Sequence, residues 1–325
     1  MIPARKRTLS RSSAMAMAML LAYALPAPAQ TAYPARPVQV IVGFPAGGSV
    51  DVMARNYIAV LSAQLGQQFV VVNRDGASGT IAFATLANAK PDGYTLGAGP
   101  TTPITNAPHL MKDIKYSLDS FEYVCQVFEN VFTIGVPQNS PLRSIQDLIA
   151  AARANPGKLT YAHSGIGTVP HLAIASFALR VGIEVSAVAY RGEAPLLPDL
   201  IAGRVDFGGP AVSSVAGRPQ LRALGVFADY RHPAFPDVPT FAEMGVPTLP
   251  PGLNGLYAPK GTPVEILQTL ERGCEAVTKS DTFRAAAQKL HQPVVFLDRA
   301  AFAKRAAEDY RIKAELVQTL KINPQ

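Results

Sequence analysis

The residues best typed and spaced for chemistry lie in short polar stretches between apolar runs. Phe44-Pro45-Ala46-Gly47-Gly48-Ser49-Val50-Asp51 is the sharpest. Paired glycines let a backbone approach a ligand, and a helix following them would aim unpaired N–H groups at a carboxylate or phosphate. The plainer use of the same residues is a tight turn in which Ser49 or Asp51 caps the helix. It is not a phosphate loop, since no Gly-Lys-Ser/Thr follows. Asp75-Gly76-Ala77-Ser78-Gly79-Thr80 and Thr101-Thr102 are two weaker stretches of the same kind. Further on, His163-Ser164-Gly165-Ile166-Gly167-Thr168-Val169-Pro170-His171 offers hydroxyls, backbone donors and two imidazoles. Tyr190-Arg191-Gly192-Glu193-Ala194-Pro195 supplies Arg191, a charge partner for an anion or an ordinary solvated cation. Asp199 and Asp206 are scattered acids that nothing marks as an acid–base couple.

Enzyme chemistry finds little purchase in these residues. A nucleophile elbow around Ser164 fails, because Ala162 and Ile166 stand where glycines are needed. A dinucleotide-binding fingerprint starting at Gly165 fails at Pro170. The histidines, at 109, 163, 171, 232 and 291, lack metal-ligand spacing, and no cofactor or metal is expected. Cys125 and Cys274 are too few for a disulfide scaffold and read as buried thiols or as one disulfide. An exported hydrolase using Ser164 with His171 or His163 is the weakest reading.

Elements of alternating period must position these stretches. Val38 to Phe44 reads as a buried strand, Ala54, Tyr57, Ile58, Leu61 and Leu65 recur at helical spacing, and Gly66 sits at a helix stop. Phe69–Val72, Thr80–Ala89 and Tyr94–Leu96 continue a strand–helix–strand series that predicts a parallel sheet covered on both faces. A second series runs through strands at 132–136, 159–162 and 185–190 and helices at 145–155, 171–181 and 196–202, with further helices at 264–279 and 300–320. In such sheets ligands bind outside the carboxyl ends of the strands, and two such ends facing one another would make a cleft.

The first 29 residues read as an export signal. Arg5, Lys6, Arg7 and Arg11 precede an apolar run from Ala14 to Leu25, and Ala27-Pro28-Ala29 offers small residues for cleavage. The run is shorter than the roughly 20 residues that span a membrane. Losing these four cations, unmatched by acids, takes the formal charge from +7 to +3. With no basic run left and only 8% aromatic residues, a nucleic-acid partner is not expected.

Taken in order, the motifs resemble the Bug family, the periplasmic solute receptors of tripartite tricarboxylate transporters. Besides the loops above, the matching residues are Tyr33-Pro34-Ala35-Arg36-Pro37, Leu65-Gly66-Gln67, Asn73-Arg74, Pro91-Asp92-Gly93-Tyr94-Thr95-Leu96 and Ala154-Asn155-Pro156-Gly157-Lys158-Leu159. Ala202-Gly203-Arg204-Val205-Asp206, Pro236-Asp237-Val238-Pro239-Thr240 and Ala258-Pro259-Lys260-Gly261-Thr262-Pro263 follow. The resemblance implies an α/β, two-lobed type II periplasmic-binding fold with the ligand cleft between lobes. Lobe I would be 30–131 and 255–325, and lobe II 132–254.

It also implies that an organic acid's carboxylate lies on Phe44–Asp51 (with Ala46, Gly47, Gly48 and Ser49) and on Ser78, Gly79 and Thr80. Thr101 and Thr102, at the carboxyl end of a strand, and Asp206 are also expected at the ligand. Lobe II would close over the ligand with His163, Ser164, Gly165, Thr168 and His171, and with Tyr190 and Arg191. A periplasmic monomer handing its ligand to a membrane permease is expected, or a sensor presenting it to a signalling protein. Departures fall near the cleft: Ser78 where glycine is common, Arg191 for a usual lysine, His163 for a small residue, and Asn254 where tryptophan usually stands.

Overall fold

The computed structural model describes residues 33–246, 249 and 251–322, so the expected export signal at 1–29 lies outside them. Two sheets organise the chain. The first takes strands β1 (Val38–Val42), β2 (Phe69–Asn73), β3 (Thr95–Pro100), β4 (Phe121–Asn130), β10 (Gly252–Pro259) and β11 (Val294–Leu297), in the order β11-β4-β10-β3-β1-β2. The second takes β5 (Phe132–Pro137), β6 (Thr160–His163), β7 (Ser186–Ala189), β8 (Phe207–Gly208) and β9 (Leu221–Phe227), in the order β7-β6-β8-β5-β9.

The parallel character expected from sequence holds for part of each sheet. β1 runs parallel to β2 and β3, and β6 to β7 and β8. β10 is antiparallel to both β3 and β4, and β5 to β8 and β9, so both sheets are mixed. The reason is the crossing between them: a chain that leaves one sheet through β4 and returns through β10 enters the first sheet against its neighbours.

Helices cover the faces. In the first sheet α1 (Ser49–Leu65), α8 (Val264–Lys279) and α9 (Asp281–Lys289) pack on one face, with Tyr57, Leu61, Leu270 and Phe283 buried against the β-branched strand residues. α2 (Thr80–Ala87) and α10 (Arg299–Thr319) cover the other through Phe83, Tyr257 and Phe302, whose rings meet edge-on or tilted. The short α3 (Thr102–Thr105) follows β3. In the second sheet α4 (Ile145–Ala154) and α5 (Val169–Val181) lie on one face, while α6 (Glu193–Ile201) and α7 (Val212–Ala216) lie on the other.

Cys125 of β4 and Cys274 of α8 form a disulfide with Cα atoms 6.4 Å apart, resolving the two readings of the cysteines. The lobes join twice: β4 passes into β5 through Val131, and β9 returns to β10 across 228–251. No described helix is long and apolar enough to cross a membrane.

Candidate functional site

The loops leaving β1, β3, β6 and β8 at their carboxyl ends meet where the sheets face each other. They enclose a cavity lined by Phe44, Pro45, Gly48, Ser49, Val50, Pro100 and Thr102 from one side and by Ser164, Thr168, Val169, Pro170, Glu193 and Gly209 from the other. Asn130, Phe132 and Gly252, from the strands that join the lobes, form its floor. Its free volume is about 30 Å³. That admits a water-sized occupant. A roomier crevice of about 500 Å³ lies elsewhere at the hinge; of its ionic groups, Glu129 and Arg305 are paired with each other at 3.1 Å, and the third, Asp229, is an acid.

Two helices start at this cavity. α1 begins at Ser49 after Gly48, and α5 at Val169 after Thr168, with Pro170 in the first turn, where its missing N–H costs nothing. The α1 end is already engaged. Glu193, 7% exposed, reaches across from the opposite lobe, accepting from Ser49 N at 3.0 Å with one carboxylate oxygen and from Ala211 N at 2.6 Å with the other. An acid in the first turn of α6 therefore sits at the positive end of α1, a favourable place for negative charge.

Asp51 faces inward on its own loop. It accepts from Gly47 N at 3.0 Å, from Arg55 Nε at 3.0 Å and from Asn73 Nδ2 at 2.8 Å. Burial pushes its carboxyl up, but the hydrogen bonds from Arg55, Asn73 and Gly47 outweigh this and hold it below the ordinary carboxylate range. Asp51 thus shapes the glycine loop and is turned away from the cavity. Ala46 and Gly47 are exposed beside it.

The Ser78–Thr80 turn meets lobe II directly. Ser78 Oγ donates to Ile166 O at 2.7 Å, and a Cβ on Gly165 (φ +131°) would stand 2.6 Å from that hydroxyl. Only glycine's freedom allows this approach. Gly192 (φ +111°) is the second such contact, where a Cβ would lie 2.5 Å from Pro45. Thr80 Oγ1 donates to Ala77 O, and Gly79 packs against Pro103 and Phe44, both within lobe I, so of these residues Ser78 alone carries the turn's contact with lobe II. Thr101, buried, starts α3 with its carbonyl, while Thr102 reaches the cavity.

The histidines of lobe II hold their loop. His163 and His171 stack at 4.3 Å, with His163 Nδ1 2.9 Å from Gly165 O and His171 Nδ1 accepting from Gly167 N at 3.1 Å. Burial pushes the His163 imidazole down to about 4 against the Gly165 bond, and burial with the charge of His163 pushes His171 down to about 3. Both rings are therefore neutral near pH 7. Their Nδ1 atoms face the backbone of their own loop, at Gly165 and Gly167.

Of the residues expected at the ligand, Phe44, Gly48, Ser49, Thr102, Ser164 and Thr168 line the cavity. The rest do not. Arg191 is exposed, and Tyr190 donates to Asp199 at 2.8 Å. Asp206 accepts from Thr160 N at 2.7 Å and Thr160 Oγ1 at 2.8 Å, near the start of β6 and so at the opposite end of the sheet from the cleft. Sequence reasoning missed Glu193, because a first-turn acid reads as a partner for its own helix. It missed Asn130, Phe132 and Gly252 because the hinge strands carry no loop signal.

Comparison with known proteins gives a consistent result. The profile of the "Tripartite tricarboxylate transporter family receptor" matches residues 53–322. Protein BugT of Bordetella pertussis is 37% identical over 279 residues, 84% of this chain and 85% of BugT. Among solved structures, R. palustris Rpa4515 with adipate is 31% identical with a TM-score of 0.85, covering 90% of this chain and 100% of that one. MatC from Rhodopseudomonas palustris with bound malate is 26% identical with a TM-score of 0.82, covering 88% and 100%.

Proposed function

Because the chain belongs to the tripartite tricarboxylate transporter receptor family, we propose that it is an exported, periplasmic solute receptor. It takes a small organic carboxylate between its lobes and presents the closed form to a membrane permease. The observation that carries this reading is the cavity at the strand carboxyl ends, walled by both lobes and bordered by the N-termini of α1 and α5. Ser164 before α5, with Thr102 opposite, brings hydroxyls to a carboxylate there, while the Thr168 hydroxyl donates to Gly165 O at 2.7 Å and shapes the loop, and the helix end favours the ligand's charge.

Related receptors of known structure hold adipate and malate, both carboxylates. The Cys125–Cys274 disulfide suits an oxidising compartment. Closure on a ligand between two hinged lobes is a shape change that a permease can read.

A thermal-shift screen of the exported chain against short carboxylates and their amides tests the reading. A ligand that binds only the native state stabilises it by about 2.7 kcal/mol at a hundredfold excess over Kd. At least one acid should raise the Tm by a few degrees, with a smaller response to the analogue in which the carboxylate is amidated. A flat response to every acid, after refolding from denaturant to strip any carried ligand, would refute it.

A further inference from the structure

The cavity has an unusual charge arrangement for a site that receives an acid. Among its described lining residues Glu193 is the one ionisable side chain, and it is an anion. Its oxygens hold the Ser49 and Ala211 N–H groups, which fixes the carboxylate in place and leaves each oxygen a further lone pair. Asn130, also in the wall and 1% exposed, has an Oδ1 without a hydrogen-bond partner. A buried acceptor left unpaired is costly, so Asn130 calls for a donor, and Glu193 can accept a further one. The hydroxyls of Ser164 and Thr102 and the start of α5 make the donor-rich part of the same cavity.

Resting on the carboxylate-receptor reading, we propose that Glu193 is the specificity-determining residue of this cleft and selects a zwitterion: a ligand with one carboxylate, set at the start of α5, and one ammonium group, set against Glu193 and Asn130. A dicarboxylate would bring a second negative charge beside Glu193 in a closed site without a cation, where like charges repel strongly. An ammonium meets an opposite charge already desolvated and oriented, so the protein has met part of the cost of that pair before binding. Specificity of this kind combines attraction for one class with repulsion of the other.

The test is isothermal titration calorimetry of the exported chain and of Glu193→Gln. The probes are acids of three to six carbons: α- and ω-amino acids, the plain monocarboxylates and the dicarboxylates. The wild type should bind an amino acid at least about tenfold more tightly than the dicarboxylate of the same length, a ratio worth about 1.4 kcal/mol. Glu193→Gln keeps the shape of the side chain and should bring that ratio to unity or reverse it, with a melting curve confirming that it is folded. Tighter binding of dicarboxylates by the wild type overturns the inference and leaves the receptor reading intact. Equal gains for both classes in Glu193→Gln also overturn it, because Glu193 would then act as an interlobe latch only. Binding of no acid of any class, by either protein, overturns both readings.

Discussion

The two lobes reach the cleft with the same local device, a glycine-containing loop running into a helix, yet they hold it by different means. Lobe I is closed on itself. Its chain is interrupted by the whole of lobe II, and the disulfide between Cys125 and Cys274 ties the strand before that insertion to the helix after it, 149 residues on. Its glycine loop is pinned by its own Asp51, while the α1 terminus is engaged by Glu193 of lobe II. Lobe II has no such staple among its described residues. Its loop rests on two stacked neutral imidazoles and on backbone contacts, and the start of α5 opens into the cavity. This contrast makes lobe I the expected frame and lobe II the expected adjustable half of the site.

Removing the staple should give the largest effect. Converting both Cys125 and Cys274 to alanine releases a loop whose closure entropy is worth at most about 5 kcal/mol for this length, with about 2–4 kcal/mol typical of native disulfides. Denaturant unfolding should record that loss, and hydrogen exchange should show it in β4, β10 and α8 ahead of β6 and α5. A loss under about 1 kcal/mol, or one spread evenly over both lobes, would break the distinction between frame and adjustable half.

Acid should act on lobe II. An imidazole whose folded value is depressed to about 4 or 3, from an ordinary 6.5, binds its proton more readily in the unfolded chain. Stability is therefore full above pH 6.5 and falls as the pH drops through 6.5 toward 4, by about 2 kcal/mol per ring at pH 5. His171→Asn, which retains an acceptor for Gly167 N, should flatten this limb of the stability–pH curve. The amides of residues 163–172 should lose protection first. A limb of unchanged steepness in the variant would place the acid sensitivity elsewhere.

These differences were unevenly legible in the sequence. The α1 helix was readable from Ala54, Tyr57, Ile58, Leu61 and Leu65, and Gly66 does end it in the left-handed conformation. The helix at Val264–Lys279 fell where its apolar spacing placed it. No element is expected at β10 from sequence, because Gly252-Leu253-Asn254-Gly255 after Pro251 carries no strand pattern, although every residue of the strand is buried. Gly255 is there because a Cβ would stand 2.2 Å from Cys125 O, a constraint set by a partner strand far away in sequence. The cleft shows the same limit. Loop composition found Ser49, Ser164 and Thr168, but Glu193 lies 144 residues from the amide it holds, and Asp206 keeps a familiar motif position while serving β6. Short-range pattern reports the helix ends; which group faces them is decided by how the lobes close.

The smallest effect on stability should come from the contacts between the lobes, and it tests the comparison most closely. Ser78 Oγ donates to Ile166 O at 2.7 Å, and Asn106 Nδ2 donates to Gly167 O at 2.7 Å, so frame and adjustable loop are joined by two hydrogen bonds that exist only when the cleft is shut. Losing one such bond is worth about 1 kcal/mol. In Ser78→Ala that amount falls on the equilibrium between open and closed forms, because neither lobe's own core includes the bond. The melting temperature should therefore move little, while the open population rises about fivefold for each 1 kcal/mol. Small-angle scattering of the ligand-free protein should show a larger radius of gyration in Ser78→Ala, returning to the wild-type value when saturating ligand is added. An unchanged radius with a lowered Tm would mean that the Ser78 turn belongs to the frame's own stability and that closure is governed by Glu193 and the Gly192–Pro45 contact instead.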